Sequence, residues 1–322
     1  MIVTLTPNPS HDRTVALSGP LERGAVQRTV SVTSQAGGKG INISRASVAA
    51  GIPSIAVLPA QEDDPFVLEL LAAGIDARPV PHDGDLRVNL TLTEPDGTTT
   101  KLNSPGAPVT DAVLRSLTDA LCRRASSADW IVLAGSLPPG APPGWYAEVV
   151  AELRAAGARI AVDTSEEPLR ALVDGLPASA PHLMKPNGEE LASFTGGDAD
   201  LLEADPSAAA AAARVLVERG VETVLATLGP HGAVLVTERG AWHAAPPPTT
   251  VVSTVGAGDS SLFGYLLGDL QHLPPPQRLA LAVAYGSAAA GLPGTTIPLP
   301  GQVHPELVTT HSLDLIEEGG HV

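Results

Sequence analysis

Trp130-Ile-Val-Leu-Ala-Gly-Ser-Leu-Pro-Pro-Gly140 opens on five apolar residues and breaks at Gly135 and the Pro-Pro-Gly turn. A helix-patterned run, Gly144–Ala156, follows, and then a second apolar run, Arg159-Ile-Ala-Val-Asp163. Strands that are apolar throughout, rather than alternating, belong to sheets covered on both faces. A strand, a helix and a strand in that order predict a parallel sheet with helices on both sides. The same rhythm extends outward. Ile2–Thr6, Ile55–Pro59, His182–Lys185 and Thr223–Thr227 read as strands. Ile41–Ala50, Pro65–Ala73, Leu114–Arg124, Glu189–Thr195, Ser207–Glu218 and Leu279–Gly291 read as helices. Ala233–Val236 and Ala241–Ala244 read as a hairpin.

Two regions break the pattern. Residues 12–33 and 87–103 hold polar, weakly alternating strands, the second pair joined by the turn Glu94-Pro-Asp-Gly97. Such strands do not suit a buried parallel sheet and predict a small β-lid beside the main layer. His11 is read as a loop residue. The tail past Pro300 is weakly patterned, with Leu307 and Leu313–Ile316 as docking candidates.

The bulk numbers narrow the function. A chain of 322 residues, 43% hydrophobic and 17% charged, can bury a large core. A net charge of -16 argues against nonspecific nucleic-acid binding and against an anionic membrane surface. Any anionic substrate must then rely on a few local cations. The lone Cys122 excludes an intrachain disulfide, and nine histidines lack ligand spacing. The N-terminus reads as a strand with no signal pattern, so a cytoplasmic location is expected.

Ser253-Thr-Val-Gly-Ala-Gly-Asp-Ser-Ser261 precedes an apolar helix-like run, Leu262–Leu270. Bare N–H groups at a glycine-marked helix start can hold an anion. Asp259 is poorly placed beside a phosphate unless it takes a proton from a hydroxyl while those N–H groups hold the transferring group. The alternative is a tight turn with an aspartate favoured in the first helical turn. Lysine occurs only at Lys39, Lys101 and Lys185, against 16 arginines. Lys39 lies in Gly37-Gly-Lys-Gly40 and Lys185 in Met184-Lys-Pro-Asn-Gly-Glu-Glu190, both at glycine- or proline-marked strand ends, and both are candidates for phosphate contact. Neither common nucleotide motif applies. Thr33 and Gly40 break a Walker A pattern, and Ser261 breaks the dinucleotide fingerprint. Asn187 and Glu190 read as a capping box, or as an amide and a carboxylate near hydrated Mg²⁺. Ser136 ends a buried strand, where α/β folds bind ligands.

Taken in order, Thr6-Pro-Asn-Pro-Ser-His-Asp12, Gly37-Gly-Lys-Gly-Ile-Asn42, Gly135–Gly140, Lys185–Glu190, Thr227-Leu-Gly-Pro-His-Gly232 and Ser253–Asp259 resemble the ribokinase/PfkB-like carbohydrate kinase family. The likeness is nearest its hexose-phosphate branch, 1-phosphofructokinase and tagatose-6-phosphate kinase. It covers nearly the whole chain. It implies one three-layer α/β/α domain over residues 1–322, with a mostly parallel sheet and a lid that often dimerises. It implies an ATP- and Mg²⁺-dependent kinase of a ketohexose phosphate, foremost fructose 1-phosphate. Fructose 6-phosphate, tagatose 6-phosphate or a nucleoside are alternative acceptors, and a non-catalytic sugar-binding regulator is the reading of another class.

The resemblance also implies roles. Asp259 is the base, and Gly256, Ala257 and Gly258 form the anion hole. Asp12 and Asn42 bind sugar hydroxyls. Lys39 and Arg87 bind the sugar phosphate, with Gly38, Asn89, Lys101 and Ser136 as further substrate contacts. Lys185, Asn187, Thr227, Gly229, Gly232, Ser287 and Gly294 face the nucleotide. Asn187 and Glu190 organise Mg²⁺ through water. Where many relatives carry an aspartate tied to a monovalent-cation site, Ser253 stands here.

Overall fold

The computed structural model describes residues 1–313. Strands β1 (Ile2–Leu5), β2 (Ser10–Leu17) and β3 (Thr29–Gly37) lead into helix α1 (Lys39–Ala49). Next come β4 (Ser54–Pro59), α2 (Pro65–Ala72) and β5 (Asp76–Val80), then the hairpin β6 (Arg87–Thr93) and β7 (Thr99–Asn103). The middle of the chain runs α3 (Asp111–Cys122), β8 (Trp130–Ala134), α4 (Trp145–Ala155), β9 (Ile160–Asp163), α5 (Glu166–Asp174) and β10 (Leu183–Met184). Helices α6 (Gly188–Thr195), α7 (Ala199–Ala204) and α8 (Pro206–Glu218) precede β11 (Thr223–Thr227), β12 (Ala233–Thr237) and β13 (Gly240–Ala245). The pair α9 (Ala257–Leu270) and α10 (Pro275–Ala290) is followed by β14 (Thr309–Leu313).

Ten strands form one sheet in the order β14-β13-β12-β11-β10-β9-β8-β1-β4-β5. From β11 to β5 every pairing is parallel, and β12, β13 and β14 add an antiparallel edge. Side-chain alternation splits the core between the two faces. Val3, Leu5, Ile131, Leu133, Ile160 and Val162 pack with α3, α4, α5 and α8. Ile2, Trp130, Val132 and Ala161 pack with α1, α9 and α10. With only 3% aromatic residues the core rests on small aliphatics, and close backbone approach replaces side-chain bulk. At Gly264 a Cβ would lie 2.6 Å from the Leu281 carbonyl oxygen, so α9 sits directly on α10.

The expected lid is a separate four-stranded sheet, β3-β2-β6-β7. Its strands start and stop differently from the sequence pattern. β3 runs on to Gly37, past the expected limit at residue 33, and β2 begins at Ser10, before the expected limit at residue 12, which takes in His11. His11 is therefore not a loop residue. Its ring stands edge-on to Phe66 at 5.2 Å. β5, α5 and α7 were not anticipated. Leu313 pairs with Ala241 at the sheet edge, Leu307 is exposed, and residues 314–316 lie outside the described residues. Among the described residues no helix is long and apolar enough to cross a membrane.

Candidate active site

In a parallel sheet the loops at the carboxyl ends of the strands form the natural crevice, most of all where strand order reverses. Here β1 is flanked by β4 and β8, so consecutive connections leave it in opposite directions. A cavity of about 860 Å³ opens at that edge, between the sheet, α9, α10 and the polar face of the lid. It is lined by Asp12, Gly38, Lys39, Asn42, Arg87, Asn89, Lys185, Asn187, Glu190, Thr227, Gly229, Gly232, Gly256, Ala257, Gly258, Asp259 and Ser287. Three sequence candidates lie outside it. Lys101 is exposed on β7, the edge strand of the lid. Ser136 meets the Asn8 amide at 3.5 Å in a neighbouring turn. Gly294 occupies a turn, and it is Thr295 that reaches the cavity. Ser10, Glu203 and the Pro246–Thr249 loop also line it, although the sequence reading passed over them.

Asp259 lies in the first turn of α9 and is only 6% exposed. Gly256 caps the helix at φ 79°, a left-handed conformation that glycine adopts without strain and that leaves no side chain over the first amides, of which that of Ala257 makes a long bond, 3.4 Å, to the Thr254 carbonyl. Asn42 Nδ2 donates to Asp259 Oδ2 at 2.8 Å. Burial pushes the Asp259 carboxyl up to about 6, against the pull of Lys39 and the Asn42 bond. Beneath it, Lys39 Nζ lies 2.7 Å from Asp163 Oδ1 and Lys185 Nζ lies 3.2 Å from Asp163 Oδ2. Burial works against the Lys39 charge, but Asp163 and then Asp259 outweigh it and hold the ammonium firmly protonated. Asp163 was not singled out from sequence. The available signal was an acidic residue ending an otherwise apolar strand at the ligand-binding edge.

The lid supplies a second cluster. Ser10 Oγ donates to Asp12 Oδ1 at 2.8 Å, and Asn89 Nδ2 reaches both Ser10 Oγ at 3.0 Å and Asp12 Oδ1 at 3.1 Å. Arg87 Nε donates to the Asn8 carbonyl at 3.1 Å, which fixes the guanidinium at the cavity wall. Two buried amide oxygens, Asn42 Oδ1 and Asn89 Oδ1, have no donor among the described residues. Buried acceptors are rarely left unpaired, and a ligand rich in hydroxyls would satisfy them. Gln35 of β3 also donates to the Thr295 hydroxyl, joining the lid edge to the loop after α10.

The opposite end is built from turns. Asn187 Oδ1 accepts from the Glu190 amide at 2.7 Å, and Glu190 Oε2 accepts from the Asn187 amide at 2.9 Å, a full capping box. The Thr227 amide donates to the Pro186 carbonyl at 3.0 Å and ties this turn to the end of β11. Burial raises the Glu190 carboxyl, against the pull of Lys185. The cavity thus sets a buried carboxylate and a helix start without a side-chain cap between a half lined by hydroxyl and amide groups and a long trough of turns.

Residues 8–302 match the family described as pfkB family carbohydrate kinase. This chain belongs to that family. It is 36% identical over 286 residues to a 1-phosphofructokinase of Xanthomonas campestris, covering 87% of this chain and 88% of that one. It is 36% identical over 320 residues to a 1-phosphofructokinase of Haloferax volcanii, covering 97% and 100%. Among solved structures, phosphofructokinase-2 from Escherichia coli in complex with substrates and products superposes with a TM-score of 0.86 at 28% identity, over 95% of this chain and 99% of that one. The expected ribokinase-like fold, with its large sheet and separate lid, is the fold found. The chain is accordingly a carbohydrate kinase, a phosphotransferase with an alcohol acceptor.

The raised Asp259 carboxyl carries a cost that can be measured. In an unfolded chain the group titrates near 4, so its charge is fully tolerated there and resisted in the fold between about pH 4 and 6. Below pH 4 both states are protonated and nothing is lost. Above pH 6 the folded protein bears the full penalty, up to about 3 kcal/mol. Asp259→Asn should therefore raise the thermal midpoint at pH 8 and lose that gain toward pH 4. A difference from wild type that is the same at both pH values would contradict the buried-charge reading.

Proposed function

We propose that the chain transfers the γ-phosphoryl group of ATP to fructose 1-phosphate, yielding fructose 1,6-bisphosphate and ADP. The observation that carries this is Asp259, a buried carboxylate at a bare helix start, within one cavity with Lys39 and Arg87. The name shared by relatives spanning the whole length supports the acceptor. Asp259 takes the proton of the acceptor hydroxyl as its oxygen bonds to the γ-phosphorus. The bond from that phosphorus to the β-bridging oxygen breaks, and ADP departs with the electron pair. The amides of Gly256, Ala257 and Gly258 hold the equatorial oxygens, whose charge is what such a site must stabilise.

Asp12 and Asn42 receive sugar hydroxyls, and the unpaired oxygens of Asn42 and Asn89 suit that task. Lys39 and Arg87, with the Gly38 turn, hold the acceptor's phosphate. The trough of Lys185, Asn187, Thr227, Gly229, Gly232 and Ser287 takes the nucleotide. Asn187 Oδ1 and Glu190 Oε2 each accept one capping-box bond, and Glu190 Oε1 accepts none among the described residues. A single carboxylate oxygen fits Mg²⁺ that keeps most of its waters and arrives with the nucleotide. When bound, Mg²⁺ neutralises phosphate charge. ATP use is consistent with a cytoplasmic location and with the chain acting as one domain.

The outer face of the lid suggests a homodimer. Register puts Val15, Val32, Leu90, Leu92 and Leu102 on the face away from Asp12 and Asn89. Val30 is 69% exposed, and Val32 and Leu102 are each 55% exposed. Apolar residues grouped this way favour pairing with a second copy. Sedimentation should show a dimer that Val32→Asp converts to monomer. A wild-type monomer at micromolar concentration would refute lid pairing.

A coupled ADP-release assay across sugars and sugar phosphates tests the main proposal. Fructose 1-phosphate should give the highest kcat/KM. Fructose 6-phosphate is the reading favoured instead by the likeness to phosphofructokinase-2 from Escherichia coli, solved in complex with fructose 6-phosphate, and its higher kcat/KM would replace the first. Lys39→Ala should raise KM for the sugar phosphate about 10-fold or more while KM for ATP changes far less. Equal effects on both would reject the phosphate-holding role.

A further inference from the structure

Asp163 is wholly buried, ends β9 and stands within ion-pair distance of two cavity-lining cations, hydrogen-bonded to Lys39 and without a hydrogen bond to its Oδ2 among the described residues. Lys39 opens α1 beside Asn42 and meets Asp163 Oδ1 at 2.7 Å. Lys185 follows β10, is 5% exposed and faces Asp163 Oδ2 at 3.2 Å. The Lys185 ammonium also lies against the anion hole, since a Cβ on Gly258 would stand 3.3 Å from its Nζ. Two ammoniums so near each other repel, and in low dielectric a lysine without a counter-ion sheds its proton. A shared carboxylate removes both penalties. Burial alone would raise the Asp163 carboxyl, but Lys185 and then Lys39 outweigh it and hold it below the usual range. Asp259 of α9 and Glu190 of α6 complete the charged groups that face this cluster.

We propose that Asp163 is a positioning residue, one buried carboxylate that fixes Lys185 against the α9 anion hole and Lys39 against the acceptor half. The two ammoniums then flank the path of the transferred phosphoryl group. Asp163 exchanges no proton and need not touch substrate. The idea rests on the kinase reading above, but its geometry gives a readout that turnover does not.

The direct test is a double-mutant cycle in the full chain. Asp163→Asn should lower kcat about 100-fold or more, the scale of losing one group that stabilises transition-state charge. KM for ATP should change by a smaller factor than kcat, because the turns of Asn187, Thr227 and Gly232 that line the nucleotide trough remain intact. In a Lys185→Met background the same Asp163→Asn change should cost less than about 10-fold, the part that passes through Lys39. An equal loss in both backgrounds overturns the proposal. If Asp163→Asn alone does not fold, the charge-balanced Asp163→Asn/Lys185→Met double is compared with Lys185→Met, with the same expected bound.

The chain has three lysines, so acetic anhydride labelling read by mass spectrometry offers a second measure, with exposed Lys101 as reference. In the wild type Lys185 should label at least about 10-fold more slowly than Lys101, because it is 5% exposed and held at 3.2 Å from Asp163 while Lys101 is exposed. In Asp163→Asn the Lys185 rate should rise relative to Lys101. Unchanged Lys185 labelling overturns the proposal. A wild type that phosphorylates no sugar would instead sink the kinase reading while this labelling outcome still decides the role of Asp163.

Discussion

A buried carboxylate is costly unless it is paired or neutralised, and this fold holds two at one edge of one sheet. Asp163 ends β9 and Asp259 starts α9, yet Lys39 contributes to the electrostatics of both. Two carboxylates and two ammoniums make a nearly neutral group. That balance offsets the cost of burying the two carboxylates. The long-range architecture follows from it. Lys39 must be delivered by the first helix, Asp163 by a central strand, Lys185 by the next strand and Asp259 by a helix from the far end of the sequence. A parallel sheet with crossover helices brings all four ends to one side.

The rest of the molecule supports that edge. Close packing of α9 on α10 at Gly264 fixes the axis of the helix whose first amides face the cavity. The lid adds hydroxyl and amide groups on its inner face and apolar groups on its outer face, the separation that period-two alternation imposes. Its inner cluster of Ser10, Asp12 and Asn89 is internally bonded, so it presents a fixed pattern rather than a flexible one. With a net charge of -16, the chain repels anions in general, and Lys39, Lys185 and Arg87 are cations that line the cavity.

Much of this was legible from sequence because local chemistry marked it. The apolar runs at Trp130 and Arg159 announced a doubly covered parallel sheet, and polar alternation announced the lid. Gly256–Asp259 stood out as a loop-to-helix junction, and scarcity drew attention to Lys39 and Lys185. Scarcity also misled, because Lys101 is equally rare and sits exposed on an edge strand. β5 was missed because Asp76-Ala-Arg-Pro-Val80 carries charge and a proline, tolerable only in an edge strand. Asp163 was missed for a different reason. Its partner Lys39 is 124 residues away, so nothing near it in sequence hints at a charge pair. Ser136 and Gly294 resemble site residues by turn chemistry, but the chain path takes them past the cavity.

The most direct measurement is a crystal structure of the full chain with fructose 1-phosphate and a non-hydrolysable ATP analogue. With Asp259 as the base, the acceptor hydroxyl lies about 2.6–3.2 Å from its carboxylate. The γ-phosphoryl oxygens then face the amides of Gly256, Ala257 and Gly258. An acceptor hydroxyl held elsewhere, or a γ-phosphoryl group away from the start of α9, would contradict Asp259 as the base of this kinase.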